Sequence, residues 1–260
     1  MTFIEALLLG LLQGLTEFLP VSSSGHLVLA QHFLDSFEQP GVLFDVILHL
    51  GTIGAVLVYF RADIGRLLAA PFQADAREDR RMLILIVIGS VPTAVIGLLG
   101  NTFLTSLFDR PAVAACMLLI TGAILLGAEK LGQRVGNRPA ISSVDAFLTG
   151  IAQGLAIIPG ISRSGSTIAL LLIRGIDAET AARFSFLLSI PAVLGASLLE
   201  ARHLGDIPSD IIPTYLAGAG IAFFSGLCAI RLLLSILRKR RLSWFAFYCW
   251  IVGGLFLLFG

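Results

Sequence analysis

A polar loop within an apolar stretch occurs twice in this sequence, at an offset of 140 residues. Residues 13–25 read QGLTEFLPVSSSG, and residues 153–165 read QGLAIIPGISRSG. A repeat of this kind in an apolar chain is typical of membrane proteins built from two related halves. The pattern predicts a single membrane domain, with a first repeat at about 1–131, a second at about 140–260, and a site where the two loops meet.

Composition indicates that the chain lies in a membrane. Only 13% of its residues are charged, 57% are hydrophobic and the mean hydropathy is +0.93, whereas a typical soluble domain has about 25% charged residues. A bilayer core takes about 20 apolar residues to cross, and stretches of that length lie at 42–60, 82–101, 112–131, 183–200, 212–236 and 243–259. We therefore predict an all-α integral membrane protein with six transmembrane helices and no nucleic-acid partner.

Two further apolar segments, 3–34 and 144–174, are interrupted near their centres. Pro20 precedes a serine and glycine cluster in the first segment, and Pro159 precedes a similar cluster that includes Arg163 in the second. Because proline breaks the helical hydrogen-bond ladder, each segment should form two short helices around a turn. Irregular backbone is tolerated at membrane depth only where protein or a wet cavity surrounds it. We predict two re-entrant helical hairpins.

Charge in the links supports this topology. Most Lys and Arg residues lie in the links 61–81, 130–138, 174–183 and 238–241, whereas 102–111 and 201–211 hold one each. With six crossings and two re-entrant hairpins, all the basic links fall on one face, which should be cytoplasmic. Each half then makes an odd number of crossings, so the second half is inserted upside down. This inverted-topology repeat would bring the hairpin tips together near the midplane, where two helix N-termini attract an anion.

Two ionisable residues, Glu17 and Arg163, lie near the predicted tips. An ionisable side chain at the centre of a bilayer raises the free energy of membrane insertion by about 2.5–3.5 kcal/mol, so such a residue usually has a function. One interpretation is that Glu17 and Arg163 only neutralise each other and lock the hairpins together. The neighbouring polar residues favour a receptor for a phosphate bound with a metal ion. These residues are Gln13, Ser22, Ser23, Ser24, His26, Ser162, Ser164, Ser166 and Thr167.

Three other polar residues lie in apolar surroundings. Asp45 and His49 are one helical turn apart in the first predicted crossing. Asp45 is expected at the membrane interface, whereas His49 is deeper and either lines the site or is a buried imidazole with satisfied hydrogen bonds. Gln153, which matches Gln13 in the second half, is expected to pack between helices.

These residues resemble two signatures of the undecaprenyl-diphosphate phosphatase family, also called bacitracin-resistance proteins. Residues 13–26, QGLTEFLPVSSSGH, are similar to the first signature, Glu/Gln-x-x-x-Glu followed by Ser-Ser-x-Gly-His. Residues 159–167, PGISRSGST, match the second, Pro-Gly-x-Ser-Arg-Ser-x-x-Thr. The resemblance extends through 44–46 and 184–188 and covers nearly the whole chain. Many members have Glu where this chain has Gln13, so a metal site with two carboxylates would lose one of them here.

The resemblance implies an integral membrane enzyme that removes the terminal phosphate from undecaprenyl diphosphate. The product, undecaprenyl phosphate, is the lipid carrier reused in peptidoglycan synthesis, and the activity confers bacitracin resistance. The resemblance also implies a divalent cation, Mg²⁺ or Ca²⁺, and a bacterial plasma (inner) membrane location with the site facing the periplasm. The expected partners are the lipid substrate and membrane lipids, and a homodimer is one assembly open to the chain.

Residue roles follow from the matched positions. The expected catalytic residues are Glu17, Ser23, His26 and Arg163, the expected substrate-binding residues are Gln13, Ser22, Ser162, Ser164 and Thr167, and the expected metal ligands are Glu17 and Gln13. Diphosphate hydrolysis spreads negative charge over the phosphoryl group and the leaving phosphate, so electrostatics should dominate. Arg163 would clamp the phosphates. Ser23 is the favoured nucleophile, with His26 or Glu17 as base, and attack by Ser22, by His26 or by an activated water stays open.

Parts of the sequence pattern also fit a secondary transporter, a lipid flippase and a second membrane phosphatase superfamily. A secondary transporter would show the same inverted repeat and broken helices, but it would need ionisable residues on several crossings, which are nearly uncharged here. A flippase for the same lipid carrier could share the site with the phosphatase. The other membrane phosphatase superfamily, suggested by Ser24-Gly25-His26, also needs Ser-Arg-x5-His-x3-Asp. We exclude it because no His follows Arg163 before His203.

Overall fold

A computed structural model of the chain describes residues 1–34, 42–132, 138, 140–200, 208, 210–237 and 241–260. The described part is helical, as predicted. The first half contains α1 (Phe3–Phe18), α2 (Ser23–His32), α3 (Leu43–Tyr59), α4 (Arg61–Ala69), a 3-10 turn (Ala70–Phe72), α5 (Arg77–Ser106) and α6 (Pro111–Gly132). The second half contains α7 (Ser143–Leu155), α8 (Arg163–Ile173), α9 (Ala178–Glu200), α10 (Ile212–Leu237) and α11 (Ser243–Phe259).

Several helices are suited to crossing a membrane. By length and composition, α5, α6, α9 and α10 are long and apolar enough to span it, and α3 with the segment Arg61–Phe72 makes a fifth candidate that bends by 78°. α11 is apolar but has only 17 residues. The chain is thus a multi-pass membrane protein with four or five spans by this criterion, against six predicted. Arg134, Arg202 and the 238–240 stretch, which entered the charge-based orientation, lie outside the described residues.

The helix order repeats. α1, α2, α3, α5 and α6 correspond in order to α7, α8, α9, α10 and α11, whereas α4 has no described counterpart. α1 and α7 begin in the same way, with a capping box formed by Thr2 and Glu5 in one and by Ser142 and Asp145 in the other. In a capping box, two otherwise unpaired N–H groups are satisfied reciprocally. The 140-residue repeat of the sequence is therefore a repeat of helices as well.

The two halves are packed into each other. α1 of the first half packs on α10 of the second, and α7 of the second half packs on α5 of the first. Gly10 lets α1 approach so closely that a Cβ there would overlap the Gly218 carbonyl, and a Cβ at Gly150 would overlap the Gly89 carbonyl. Because Gly10 and Gly150 are equivalent in the repeat, the same close helix contact is made twice.

The two interrupted segments are broken as predicted, and their turns touch. A Cβ added to Gly25 would lie 2.7 Å from the Cα of Gly160, so the two backbones are in direct contact. Gly160 has a φ of +95°, a conformation that glycine adopts without steric cost. Thr121 on α6 holds this turn, since its hydroxyl donates to the Gly160 carbonyl (2.8 Å) and accepts from the Ser162 N–H (3.0 Å).

A cluster of charges surrounds the start of α7. The buried Asp145 carboxylate accepts from the Ser142 N–H (2.9 Å) and from Arg174 Nε (2.7 Å), and Arg138 lies 3.4 Å away. Burial alone would raise the pKa of Asp145, but the hydrogen bonds from Ser142 and Arg174 and the charge of Arg138 lower it to about 2. The carboxylate is therefore ionised near neutral pH and ties α7 to the end of α8.

Candidate active site

The Glu17 carboxylate is the centre of the candidate site. It is 6% exposed. Its Oε2 atom accepts from the Ser23 hydroxyl at 2.5 Å and from Gln13 Nε2 at 3.0 Å. Its Oε1 atom accepts from a terminal nitrogen of Arg163 at 2.9 Å. Three other residues predicted for the site from sequence, Gln13, Ser23 and Arg163, thus converge on the Glu17 carboxylate.

Local structure explains why these four residues meet. Gln13 and Glu17 are four residues apart on α1, and this spacing places both side chains on one helix face. Ser23 is the first residue of α2, and Arg163 is the first residue of α8. Because the two turns are in contact, the starts of both short helices lie beside the end of α1, and their free N–H groups and positive dipole ends lie there too.

Ser22 and Ser162 cap the two short helices. The Ser22 hydroxyl accepts from the Gly25 N–H at 3.2 Å, and the Ser162 hydroxyl accepts from the Gly165 N–H at 3.0 Å. Ser22 is the single non-glycine residue with positive φ (67°) in the described part of the chain. A conformation of this kind costs on the order of 1–3 kcal/mol and tends to occur at functional sites.

Ser164 and Thr167 do not contact Glu17. The Ser164 hydroxyl donates to the Leu19 carbonyl at 3.2 Å. The Thr167 hydroxyl donates to the Arg163 carbonyl (2.8 Å) and hydrogen-bonds to the Ser185 hydroxyl (2.6 Å). The Ser185 carbonyl in turn accepts from Arg163 at 3.5 Å. In this structure, two residues predicted to bind substrate hold the turn and support Arg163.

His26 lies beside this group and contacts a residue that the sequence did not suggest. Its Nδ1 atom is 2.7 Å from the Ser22 carbonyl, and its Nε2 atom is 2.9 Å from the Tyr248 hydroxyl on α11. The two rings are nearly parallel, with centroids 5.5 Å apart. Because a carbonyl only accepts, Nδ1 carries the proton and Tyr248 donates to Nε2 in the neutral imidazole. Both ring nitrogens of His26 therefore face partners other than Ser23 and Glu17.

His49 lies at the site, which resolves the two interpretations of this residue. Its Nδ1 atom is 2.7 Å from the Asp45 carbonyl, and its Nε2 atom is 3.3 Å from Glu17 Oε2. Asp45, for which the sequence predicts a position at the membrane interface, is buried within the protein (2% exposed) and accepts a hydrogen bond from Gln31 at 2.6 Å. The sequence placed both residues on one helix face without indicating which neighbour that face would meet.

Gln153 packs between helices, as expected. Its Nε2 atom donates to the Thr93 hydroxyl (3.2 Å) and to the Leu188 carbonyl (3.3 Å). It thus joins α7 to α5 and α9. The equivalent residue Gln13 serves the carboxylate instead, because the residue four positions after Gln153 is Ile157 and the second half has no counterpart of Glu17.

The atoms at the site that could bind a metal ion are mostly oxygen atoms. In the described residues, no group of three or more His, Cys, Asp or Glu side chains could hold a metal ion. Glu17 nevertheless offers a carboxylate, and the buried Gln13 Oε1 atom has no hydrogen-bond partner. One carboxylate, one amide oxygen and the Ser23 hydroxyl are hard donors of the type that Mg²⁺ binds together with substrate phosphates.

Comparison with known proteins agrees with the family resemblance found in the sequence. The model of the family described as "Bacitracin resistance protein BacA" matches residues 6–255. An undecaprenyl-diphosphatase of Syntrophotalea carbinolica is 53% identical over 258 residues, which is 98% of each chain. Proteins of the same name from Desulfatibacillum aliphaticivorans (45% over 269 residues, 98% and 97% of the two chains) and Carboxydothermus hydrogenoformans (44% over 258 residues, 97% and 95%) are also similar.

Proposed function

Because the chain belongs to the bacitracin resistance protein BacA family, we propose that it hydrolyses undecaprenyl diphosphate to undecaprenyl phosphate and inorganic phosphate. This activity returns the lipid carrier to peptidoglycan synthesis and confers resistance to bacitracin. The observation that carries the proposal is the contact between Glu17 and Arg163, which joins a proton acceptor and a permanent cation in one buried site. An anionic phosphate bound beside a carboxylate needs such a cation.

Ser23 is the proposed nucleophile. Its hydroxyl already donates to Glu17 Oε2 at 2.5 Å, so the carboxylate can take the proton as the oxygen attacks the terminal phosphorus. The bond to the bridging oxygen breaks, and undecaprenyl phosphate leaves with that oxygen. Glu17 passes its proton to the leaving undecaprenyl phosphate. Water then attacks the phosphoserine and gives a proton to Glu17, which returns it to the Ser23 oxygen as the bond from that oxygen to phosphorus breaks, and inorganic phosphate is released.

Arg163 is the proposed phosphate clamp. Only 14% of its side chain is exposed, and one terminal nitrogen is committed to Glu17. The guanidinium has five N–H donors, so it can hold Glu17 and still donate to phosphate oxygens. It is placed at the first residue of α8, where the helix dipole also favours negative charge. Charge that develops on the phosphoryl group is therefore stabilised by fixed donors.

Glu17 and Gln13 are the residues that would hold a divalent cation, Mg²⁺ or Ca²⁺. The free Gln13 Oε1 atom and the Glu17 carboxylate fit a hard cation completed by substrate oxygens. When bound, the ion would neutralise charge on the diphosphate. Ser162 and the N–H groups at the start of α8 would bind the remaining phosphate oxygens.

We also propose a membrane topology with six crossings. α3 and α11 have 17 residues each, or about 25 Å of helix, which is near the lower limit for crossing a bilayer. Counting both gives six crossings, with α1–α2 and α7–α8 as re-entrant hairpins of an inverted repeat. The reciprocal packing of α1 on α10 and of α7 on α5 supports this arrangement. The protein would lie in the inner membrane with the site open to the periplasm, as a monomer or a homodimer.

A phosphate-release assay tests the activity. Purified protein in detergent should release phosphate from undecaprenyl diphosphate, and a chelator should reduce the rate until Mg²⁺ is restored. Arg163→Ala should lower the rate at least about 100-fold, while Arg231→Ala, a change at an exposed Arg on α10, should leave it nearly unchanged. Absence of release from the wild-type protein would contradict the proposal, and so would near-normal turnover by Arg163→Ala.

A further inference from the structure

The orientation of the His49 ring is fixed by its backbone partner. Nδ1 is 2.7 Å from the carbonyl oxygen of Asp45, one turn earlier on α3. A carbonyl oxygen can only accept, so Nδ1 carries a hydrogen. In the neutral imidazole the other nitrogen, Nε2, then has a lone pair and no hydrogen.

That lone pair faces a carboxylate. Nε2 is 3.3 Å from Glu17 Oε2, and His49 and Glu17 side chains are only 21% and 5% exposed. Two acceptor atoms at this distance repel each other in surroundings that water screens poorly. The arrangement is stable only with a cation between them, and that cation is either a second proton on His49 or a metal ion.

We propose that a divalent cation occupies this position, with His49 Nε2 as a ligand beside Glu17 Oε2 and Gln13 Oε1. This inference rests on the proposed function, which already assigns a cation to Glu17 and Gln13, and it adds the nitrogen ligand from α3. The site would then join α1 and α3 through the metal ion.

The distances around Glu17 Oε2 suit a shared ion. The Gln13 amide nitrogen is 3.0 Å and His49 Nε2 is 3.3 Å from this oxygen. Neighbouring ligands of an octahedral ion with bonds of ~2.1 Å are about 3.0 Å apart. A half-turn of the Gln13 amide exchanges its nitrogen with Oε1, the buried atom that has no hydrogen-bond partner.

The Asp45 carbonyl plays the role that an outer-shell partner plays at known metal sites. A histidine ligand almost always donates its second ring N–H to a carbonyl or carboxylate, which fixes the ring and the tautomer. The ligand set of two oxygen atoms and one imidazole is mixed, and Mn²⁺, which binds oxygen ligands as Mg²⁺ and Ca²⁺ do, is a suitable paramagnetic probe for it.

Electron paramagnetic resonance of bound Mn²⁺ tests this directly. Wild-type protein in detergent should bind Mn²⁺ and show coupling to an imidazole nitrogen, and the coupling should change when the histidines carry ¹⁵N. His49→Gln should abolish the coupling and weaken Mn²⁺ binding at least about tenfold. His32→Gln, a change at an exposed histidine near the end of α2, should alter neither.

Two results would contradict the proposed metal site. Mn²⁺ that binds without nitrogen coupling, or with coupling that survives His49→Gln, would show that a proton alone fills the position. Failure to bind Mn²⁺ in a preparation that still releases phosphate would also overturn the metal ligand set while leaving the phosphatase proposal intact. Ellipticity and thermal unfolding of His49→Gln distinguish loss of a ligand from loss of the fold.

Discussion

Glu17 Oε1 and the Arg163 guanidinium lie 2.9 Å apart, although 146 residues separate them in the chain. One comes from the first half and one from the second, and both side chains are largely buried. Such a pair could serve only to hold the halves together, or it could perform chemistry. The two roles predict different behaviour when both charges are removed.

We expect the double variant Glu17→Gln/Arg163→Met to be stable but inactive. Removing one partner of a buried ion pair leaves an uncompensated charge and costs about 3–5 kcal/mol, whereas removing both is often nearly neutral. Each single variant should therefore unfold at lower temperature, and the double variant should recover. Phosphate release should stay at least about 100-fold below wild type in all three. Recovery of activity with stability would mean that the pair is only a lock.

Ser22 and Ser23 should respond differently to the same substitution. Ser23→Ala removes the hydroxyl that donates to Glu17 and should lower the rate at least about 1000-fold with normal stability. Ser22→Ala removes a helix cap and should lower stability by about 1 kcal/mol. Ser24→Ala, the same substitution at the next serine, is the matched control and should change the rate far less than Ser23→Ala does. Acid quenching during turnover should trap phosphate on Ser23, and its appearance on another residue would refute the assignment.

Tyr248→Phe tests the catalytic role that the sequence predicts for His26, and on that role it should lower kcat about tenfold with little change in KM. The variant keeps the stacked ring but removes the hydroxyl that donates to His26 Nε2, so the imidazole loses one of the two groups that orient it. Tyr59→Phe, a change to a ring that contacts Phe60, is the control. Selective ¹⁵N labelling of histidine should report the Nδ1–H form of His26 in the wild type. An unchanged rate in Tyr248→Phe would show that turnover does not depend on how His26 is oriented.

Asp145 should make stability depend on acid pH. Its folded-state pKa of about 2 is below the value of about 3.9 expected in the unfolded chain. The stabilisation is therefore fully present above pH ~4 and is lost as the pH falls towards ~2, by at most about 2.5 kcal/mol. Asp145→Asn should unfold at lower temperature than wild type at pH 6, and the difference should vanish near pH 2. A difference that is constant with pH would contradict this.

Much of the site was predictable from sequence because the repeat carries it. The polar loops at 13–25 and 153–165 predicted the broken helices and their contact, and these predictions are confirmed. The contact brings Glu17 and Arg163 together. The count of membrane spans was less predictable, because α3 is followed at once by α4 with a sharp bend and α11 is short. Apolar composition does not specify either feature.

Sequence reasoning failed where a contact depends on helix rotation and long separation. Ser22 and Ser23 are adjacent and identical, yet one caps a helix and the other meets Glu17, since the φ of +67° at Ser22 turns the chain between them. Tyr248 is 222 residues from His26 and belongs to no motif. His49 was on the correct helix face, but only the packing of α3 against α1 decides that Glu17 is its neighbour.

The exchange of helices between the halves bears on how the protein assembles. α1 packs against α10, and α7 packs against α5, so each half covers one face of the other half's first helix. While only the first half has been synthesised, Glu17 has no Arg163 to pair with. The surface of α1 at Gly10, which contacts Gly218 in the complete chain, is then uncovered. For the same reason, the two halves should associate in the bilayer even when they are expressed as separate fragments. The packing contacts between the helices already specify this association, and the peptide that links the halves only keeps them close together.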